Sequence, residues 1–96
     1  MKYYSTNHSV PEVSLSEAVV KGLAADRGLF MPERIEKLPK EFFDNIEKLN
    51  LQDIAVRVAE AFFGEDVEPE ALEKIVRDTL SFDTPVVEVE KDIYSL

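Results

Sequence analysis

The 96-residue chain has no cysteine, a single histidine, three glycines and no long apolar run. Without cysteine there is neither a disulfide frame nor a thiolate metal site. His8 lies in a polar turn between Asn7 and Ser9, with no second histidine to share a metal, and reads as a surface residue. The three glycines are isolated, so no glycine-rich phosphate cradle exists. Positive charge is also scarce: eleven Lys and Arg against twenty Asp and Glu leave a net charge of −9. Phosphate binding needs the opposite sign, so this balance disfavours nucleic acid and anionic membrane as partners; its ordinary role is solubility. No stretch approaches the roughly 20 apolar residues that span a bilayer. Residues 1–7 lack the apolar centre of a signal peptide. A cytoplasmic protein fits these absences best.

What is present is a hydrophobic content of 45%, ordinary for a folded chain and too high for disorder. The length allows one small domain. Residues 3–6 are aromatic and β-prone, a plausible edge strand, and residues 7–11 form a turn. Ser14 and Glu17 stand three apart, the spacing of a capping box. Leu15, Ala18, Val19, Gly22 and Leu23 then fall on one helical face, which predicts a helix over 15–25. Gly28 follows its last turn, where a left-handed residue is expected, with a cost on the order of 1 kcal/mol or more for alanine there. Leu29, Phe30 and Met31 make a second short strand ended by Pro32, and Pro39 bars a helix through the following loop.

Further along, Phe42, Phe43, Ile46 and Leu49 suggest a short helix over 41–49. Asn50 caps a helix over 51–63 with the cleanest 3.6-residue pattern in the chain: Leu51, Ile54, Ala55, Val58, Ala59 and Phe62. Gly64 stops it. Pro69 suits the first turn of a last helix, which turns Leu72, Ile75, Val76, Thr79 and Leu80 inward. The acidic run Glu65, Asp66, Glu68, Glu70 and Glu73 opens that helix where negative charge favours its dipole; it lacks the central glycine and alternating ligands of a calcium loop. Residues 86–89 and 93–96 flank Glu90-Lys91-Asp92 as a hairpin. The expected class is therefore α+β, with three to four helices on a small sheet built from the N-terminal strand, the Leu29-Phe30-Met31 strand and the C-terminal hairpin. In the pairs Phe42-Phe43 and Phe62-Phe63, either one member fills the core and the other meets a further domain, or both are local. A hydrolase triad of Ser14, Asp26 and His8 is disfavoured, because Ser14 is occupied as a cap and the strained Gly-x-Ser-x-Gly turn is missing.

Several of these residues also carry a resemblance. Tyr3-Tyr4-Ser5-Thr6, Val13-Ser14, Glu17-Ala18, Gly22-Leu23-Ala24, Asp26, Gly28-Leu29-Phe30 and Pro32 match the pattern "Y-x-S-T" followed by "V-S-x-x-E-A-x-x-x-G-L-A-x-D-x-G-L-[FY]-x-P". This pattern resembles the N-terminal domain of the threonine synthase family. Phe82, Pro85-Val86, Val89, Asp92 and Leu96 resemble the segment that leads into the family's catalytic domain, whereas residues 37–78 agree by pattern more than by motif. Asn7 is a departure, since many relatives carry arginine there.

The resemblance implies a fold-type II pyridoxal phosphate enzyme acting on O-phospho-L-homoserine, with a Schiff-base lysine in "H-G-P-T-x-A-F-K-D". None of Lys2, Lys21, Lys37, Lys40, Lys48, Lys74 or Lys91 stands in such a motif. The expectation is thus a single domain over 1–96, with no catalytic, cofactor-binding or metal residue, whose catalytic domain follows Leu96. Its partners are that domain and, for the whole enzyme, the substrate; alone it binds no pyridoxal phosphate, is inactive, and associates weakly as a homodimer. Thr6 and Asn7, polar residues at a strand end, either face the catalytic cleft or only shape their turn. The alternative function is a non-catalytic acidic interaction module of the same fold.

Overall fold

The computed structural model describes all 96 residues, Met1–Leu96. Strand β1 (Lys2–Ser5) lies at the centre of an antiparallel sheet, between β2 (Val13–Ser14) and β3 (Phe30–Pro32). Tyr3 faces Val13 on one side and Pro32 on the other, and Ser5 faces Phe30. The strand expected at an edge is therefore the middle one. The turn after it returns the chain as β2, a two-residue strand too short to be legible as one.

Because side chains alternate along a strand, Tyr3 and Ser5 point together into the protein, 6% and 0% exposed. Helix α1 (Leu15–Lys21) covers that face, burying Leu15 and Ala18 against Tyr3. Ser14 caps it by accepting the Glu17 amide at 3.2 Å. Glu17 does not return the bond to the cap; its carboxylate takes Lys21 at 2.6 Å instead. The helix ends four residues earlier than expected. Gly22 adopts φ 72° and its N–H bonds the Ala18 carbonyl, so the left-handed stop falls there and not at Gly28, whose φ is not positive. Glycine inside a helix costs backbone entropy and at its end costs little, so the first suitable glycine terminates it.

The remaining helices form the other half of the body. Helix α2 (Lys40–Asp44) buries Phe42, while neighbouring Phe43 is exposed. A 3-10 turn (Ile46–Lys48) leads to α3 (Leu51–Phe63), whose capping box joins Asn50 and Asp53 reciprocally. Helix α4 (Pro69–Thr79) starts on its proline and packs along α3, burying Leu72. The deepest residues of α3 are Val56 and Ala59. Its most regular apolar stripe faces an open groove shared with α4. Phe62 and Phe63 are both half-buried, with Phe63 touching the Tyr3 cluster.

Strands β4 (Val87–Glu90) and β5 (Ile93–Ser95) form the expected hairpin, turned at Lys91 and Asp92, with Asp92 at φ 63°. It is a sheet of its own and does not join β1–β3. The α+β class holds, with four helices and two small sheets where one sheet was expected. The molecule is open: its radius of gyration is 16.7 Å, against about 12 Å for a compact domain of this length.

Candidate functional site

The most organised polar cluster joins the turn after β1 to the loop between α1 and β3. Burying the Ser5 hydroxyl would be costly without a partner. It donates to Asp26 Oδ1 at 2.6 Å and accepts the Asn7 N–H at 3.2 Å. The Asp26 carboxylate also accepts the N–H of Gly28 at 3.0 Å and of Ser9 at 3.0 Å. Asn7 Nδ2 donates to the Asp26 carbonyl at 2.8 Å. Next to this, Thr6 makes two bonds with Leu29: its N–H donates to the Leu29 carbonyl, and its Oγ1 accepts the Leu29 N–H, both at 3.0 Å. Leu29 in turn bridges Leu23.

Donors surround the carboxylate, and they set its protonation. The Ser5 hydroxyl, then the Gly28 and Ser9 amides, hold Asp26 below its ordinary pKa, against a partial loss of water that acts the other way. Gly28 is required by closeness: a Cβ there would sit 2.0 Å from Ser5 Oγ and 3.0 Å from both Asn7 N and Thr6 Oγ1. The left-handed position in this loop belongs to Arg27, at φ 67°.

Thr6 and Asn7 are exposed, but each spends its side-chain bonds within this cluster, which supports their turn-shaping role. His8 stacks on Tyr4, ring centroids 5.1 Å apart and planes 8° from parallel. Ser14 caps α1, so Ser14, Asp26 and His8 serve three separate structures. In the acidic run, Glu70 lies in the first turn of α4 as expected, whereas Glu65 is drawn away to Arg34. All seven lysines are exposed, and Lys21, Lys40 and Lys74 are engaged by carboxylates one helical turn away. A Schiff-base lysine needs a desolvated, pKa-lowering setting. No lysine of this chain has such a setting in the structure.

The second feature is uncovered apolar surface. Accessible area is 7401 Å², against about 5,600 Å² for a compact protein of 10.9 kDa. The excess, about 1,800 Å², is of the size one partner contributes to a large permanent interface. Its apolar part includes Val19 and Val20 on α1, Val20 being 84% exposed, and Leu23 just past the end of that helix. It also includes the groove of about 460 Å³ between α3 and α4, lined by Leu51, Ile54, Val58, Phe62, Ile75 and Val76 among others. Sequence reasoning missed the Ser5–Asp26 bond, which joins residues 21 apart. The available signal was that "Y-x-S-T" and "D-x-G-L-F" occur together, one half supplying a buried hydroxyl and the other its acceptor.

These features define a small α+β domain with a polar hub at one end and bare apolar surface on α1 and between α3 and α4. The chain belongs to the family described as the threonine synthase N terminus, whose model matches residues 2–80. It is 32% identical over 93 residues to the threonine synthase of Escherichia coli, covering 97% of this chain and 22% of that protein. The Haemophilus influenzae threonine synthase is 30% identical over 96 residues, with 22% of its length covered. The crystal structure of the Escherichia coli threonine synthase superposes with a TM-score of 0.82 over 98% of this chain and 22% of that one. The chain thus spans about a fifth of the length of the relatives it matches. Agreement along its whole length with threonine synthases does not favour the free-standing module.

Proposed function

We propose that this chain is the N-terminal domain, residues 1–96, of a threonine synthase whose catalytic domain follows Leu96. The completed enzyme converts O-phospho-L-homoserine and water to L-threonine and phosphate in the cytoplasm. Pyridoxal phosphate, held by residues outside this chain, serves as its electron sink. The observation that carries this reading is the superposition of 98% of this chain on 22% of a threonine synthase.

The chain's own work is to pack and to hold shape. Asp26 fixes the turn after β1, that turn fixes Leu29 through Thr6, and Leu29 fixes Leu23. Leu23 continues the bare strip of Val19 and Val20, so the catalytic domain would meet a surface already ordered, which lowers the entropy lost on docking. Alone, the chain binds no cofactor, makes no threonine, and dimerises weakly through its bare apolar surface against its charge.

Three measurements test this. The reading frame should continue past Leu96 into a lysine within a His-Gly-Pro-Thr-like setting; a stop codon there would overturn the proposal. Mixed with pyridoxal phosphate, the 96-residue chain should give only weak, scattered reaction at its exposed lysines. A stoichiometric absorbance shift abolished by changing one lysine would place cofactor chemistry on this chain and refute its passive role. Sedimentation across a concentration series should show weak dimerisation, and a strictly monomeric chain at high concentration would contradict that part.

A further inference from the structure

Every residue from 81 to 96 is exposed, and the hairpin's main contacts are between its own two strands. Leu80 is the last half-buried residue, and the family match also ends at residue 80. Between the body and β4 lie six residues that include Pro85 and no helix or strand. A two-stranded hairpin is marginal in water unless something covers it. Here the bare side chains are apolar: Val87, Val89 and Ile93 are 55%, 69% and 54% exposed. Yet the superposition on a threonine synthase includes 98% of this chain, in a protein where most of the polypeptide lies elsewhere.

From these observations we infer that the hairpin β4–β5 is not part of the body that precedes it. Resting on the function proposed above, it is the docking arm of that body: Val87, Val89 and Ile93 seat on an apolar surface of the catalytic domain. The structural boundary falls in residues 81–86, which act as the joint. Charge specifies the receiving surface further. Glu90, opposite Ile93, and Asp92 in the turn adjoin the apolar residues with only Lys91 opposing them, so the surface that takes the hairpin has an apolar centre and a basic rim. A second copy of this chain is a poorer occupant, because pairing two such arms brings like charges together in a chain already at −9.

Hydrogen exchange on the full reading-frame product and on the 96-residue chain tests the arm. In the shorter chain, amides of β4 and β5 should exchange within about tenfold of an unstructured peptide while those of α3 are protected. In the full product the hairpin amides should slow at least a hundredfold. The pair Val89→Lys and Ile93→Lys should leave the melting of the shorter chain unchanged, yet speed proteolytic cleavage within residues 81–86 of the full product at least tenfold. Hairpin protection in the shorter chain, whether constant or rising with concentration, would overturn the inference, in favour of the body or of a second copy. An unprotected hairpin in the full product would overturn it as well. A full product with a protected hairpin and no threonine-forming activity would remove the proposed reaction and leave the docking arm intact.

Discussion

Both ends of this chain form short antiparallel strands with a tyrosine in them, and the two have opposite fates. In β1, Tyr3 is buried under α1 and its hydroxyl points to the Phe62 carbonyl at 3.4 Å. In β5, Tyr94 is 59% exposed. The propensities are similar, so propensity does not separate them. The difference lies in what covers each strand here: a capped helix over β1 and the Ser5–Asp26 bond that locks its end, against only β4 and its turn beside β5. Backbone pairing is present at both ends, whereas strand stability is borrowed from whatever lies on top.

The largest test removes the buried tyrosine. Tyr3→Ala should cost on the order of 3–5 kcal/mol, as large-to-small aromatic changes in cores do. That is most of the stability of a small domain, so the denaturant midpoint followed by circular dichroism should collapse. A loss below about 1 kcal/mol would mean that β1 is no better covered than the hairpin.

Gly28→Ala comes next. Its new methyl group meets Ser5 Oγ, so an overpacking cost of about 1–3 kcal/mol is expected. Restoring room with Ser5→Gly in the same chain should recover less than the whole loss, because Asp26 then lacks its hydroxyl donor and keeps only the Gly28 and Ser9 amides. Full additivity of the two changes would show that the residues do not compete for the same space.

Acid should act at the N-terminal end through Asp26. The lowered Asp26 contributes stability that is fully present above the unfolded carboxylate value of about 3.9 and is lost as pH falls through its lower folded value. Denaturant midpoints measured from pH 7 downward should therefore decline below about pH 4. Asp26→Asn should start lower and decline less steeply; some slope will remain, since Glu65 is also lowered, chiefly by the chain's amino terminus and then by Arg34. Equal slopes would disconnect Asp26 from acid sensitivity.

The smallest effect is expected at the other tyrosine. Tyr94→Ala should leave the midpoint within about 0.5 kcal/mol of the parent chain, as exposed substitutions generally do. A larger loss would mean that the hairpin is anchored to the body after all.

How much of this was legible before the structure depends on how local each determinant is. The ends of α3 were, because Asn50 and Gly64 lie beside the residues they govern, and so was the start of α4 at Pro69. The end of α1 was not. Two glycines six residues apart both satisfied the rule for a helix stop, and only the folded loop reveals that Gly22 turns the chain while Gly28 makes room. The α3 stripe was legible, but not what covers it: much of it lines the groove left open beside α4, and periodicity reports amphipathicity alone. The Ser5–Asp26 bond lay beyond any window of local pattern, though both halves stood in the motifs.

The open shape has a calorimetric consequence. Compact proteins gain about 12–15 cal/mol/K of heat capacity per residue on unfolding, or about 1.2–1.4 kcal/mol/K for a chain this long. Only 10 of the 96 residues are buried here, so less apolar surface remains to be wetted and the increment should fall well short. The transition enthalpy should shrink with it, giving a broad, shallow melt and a stability curve that bends little with temperature. Such a trace from the isolated chain is what a well-ordered but half-covered domain should give, with no need to invoke a molten state.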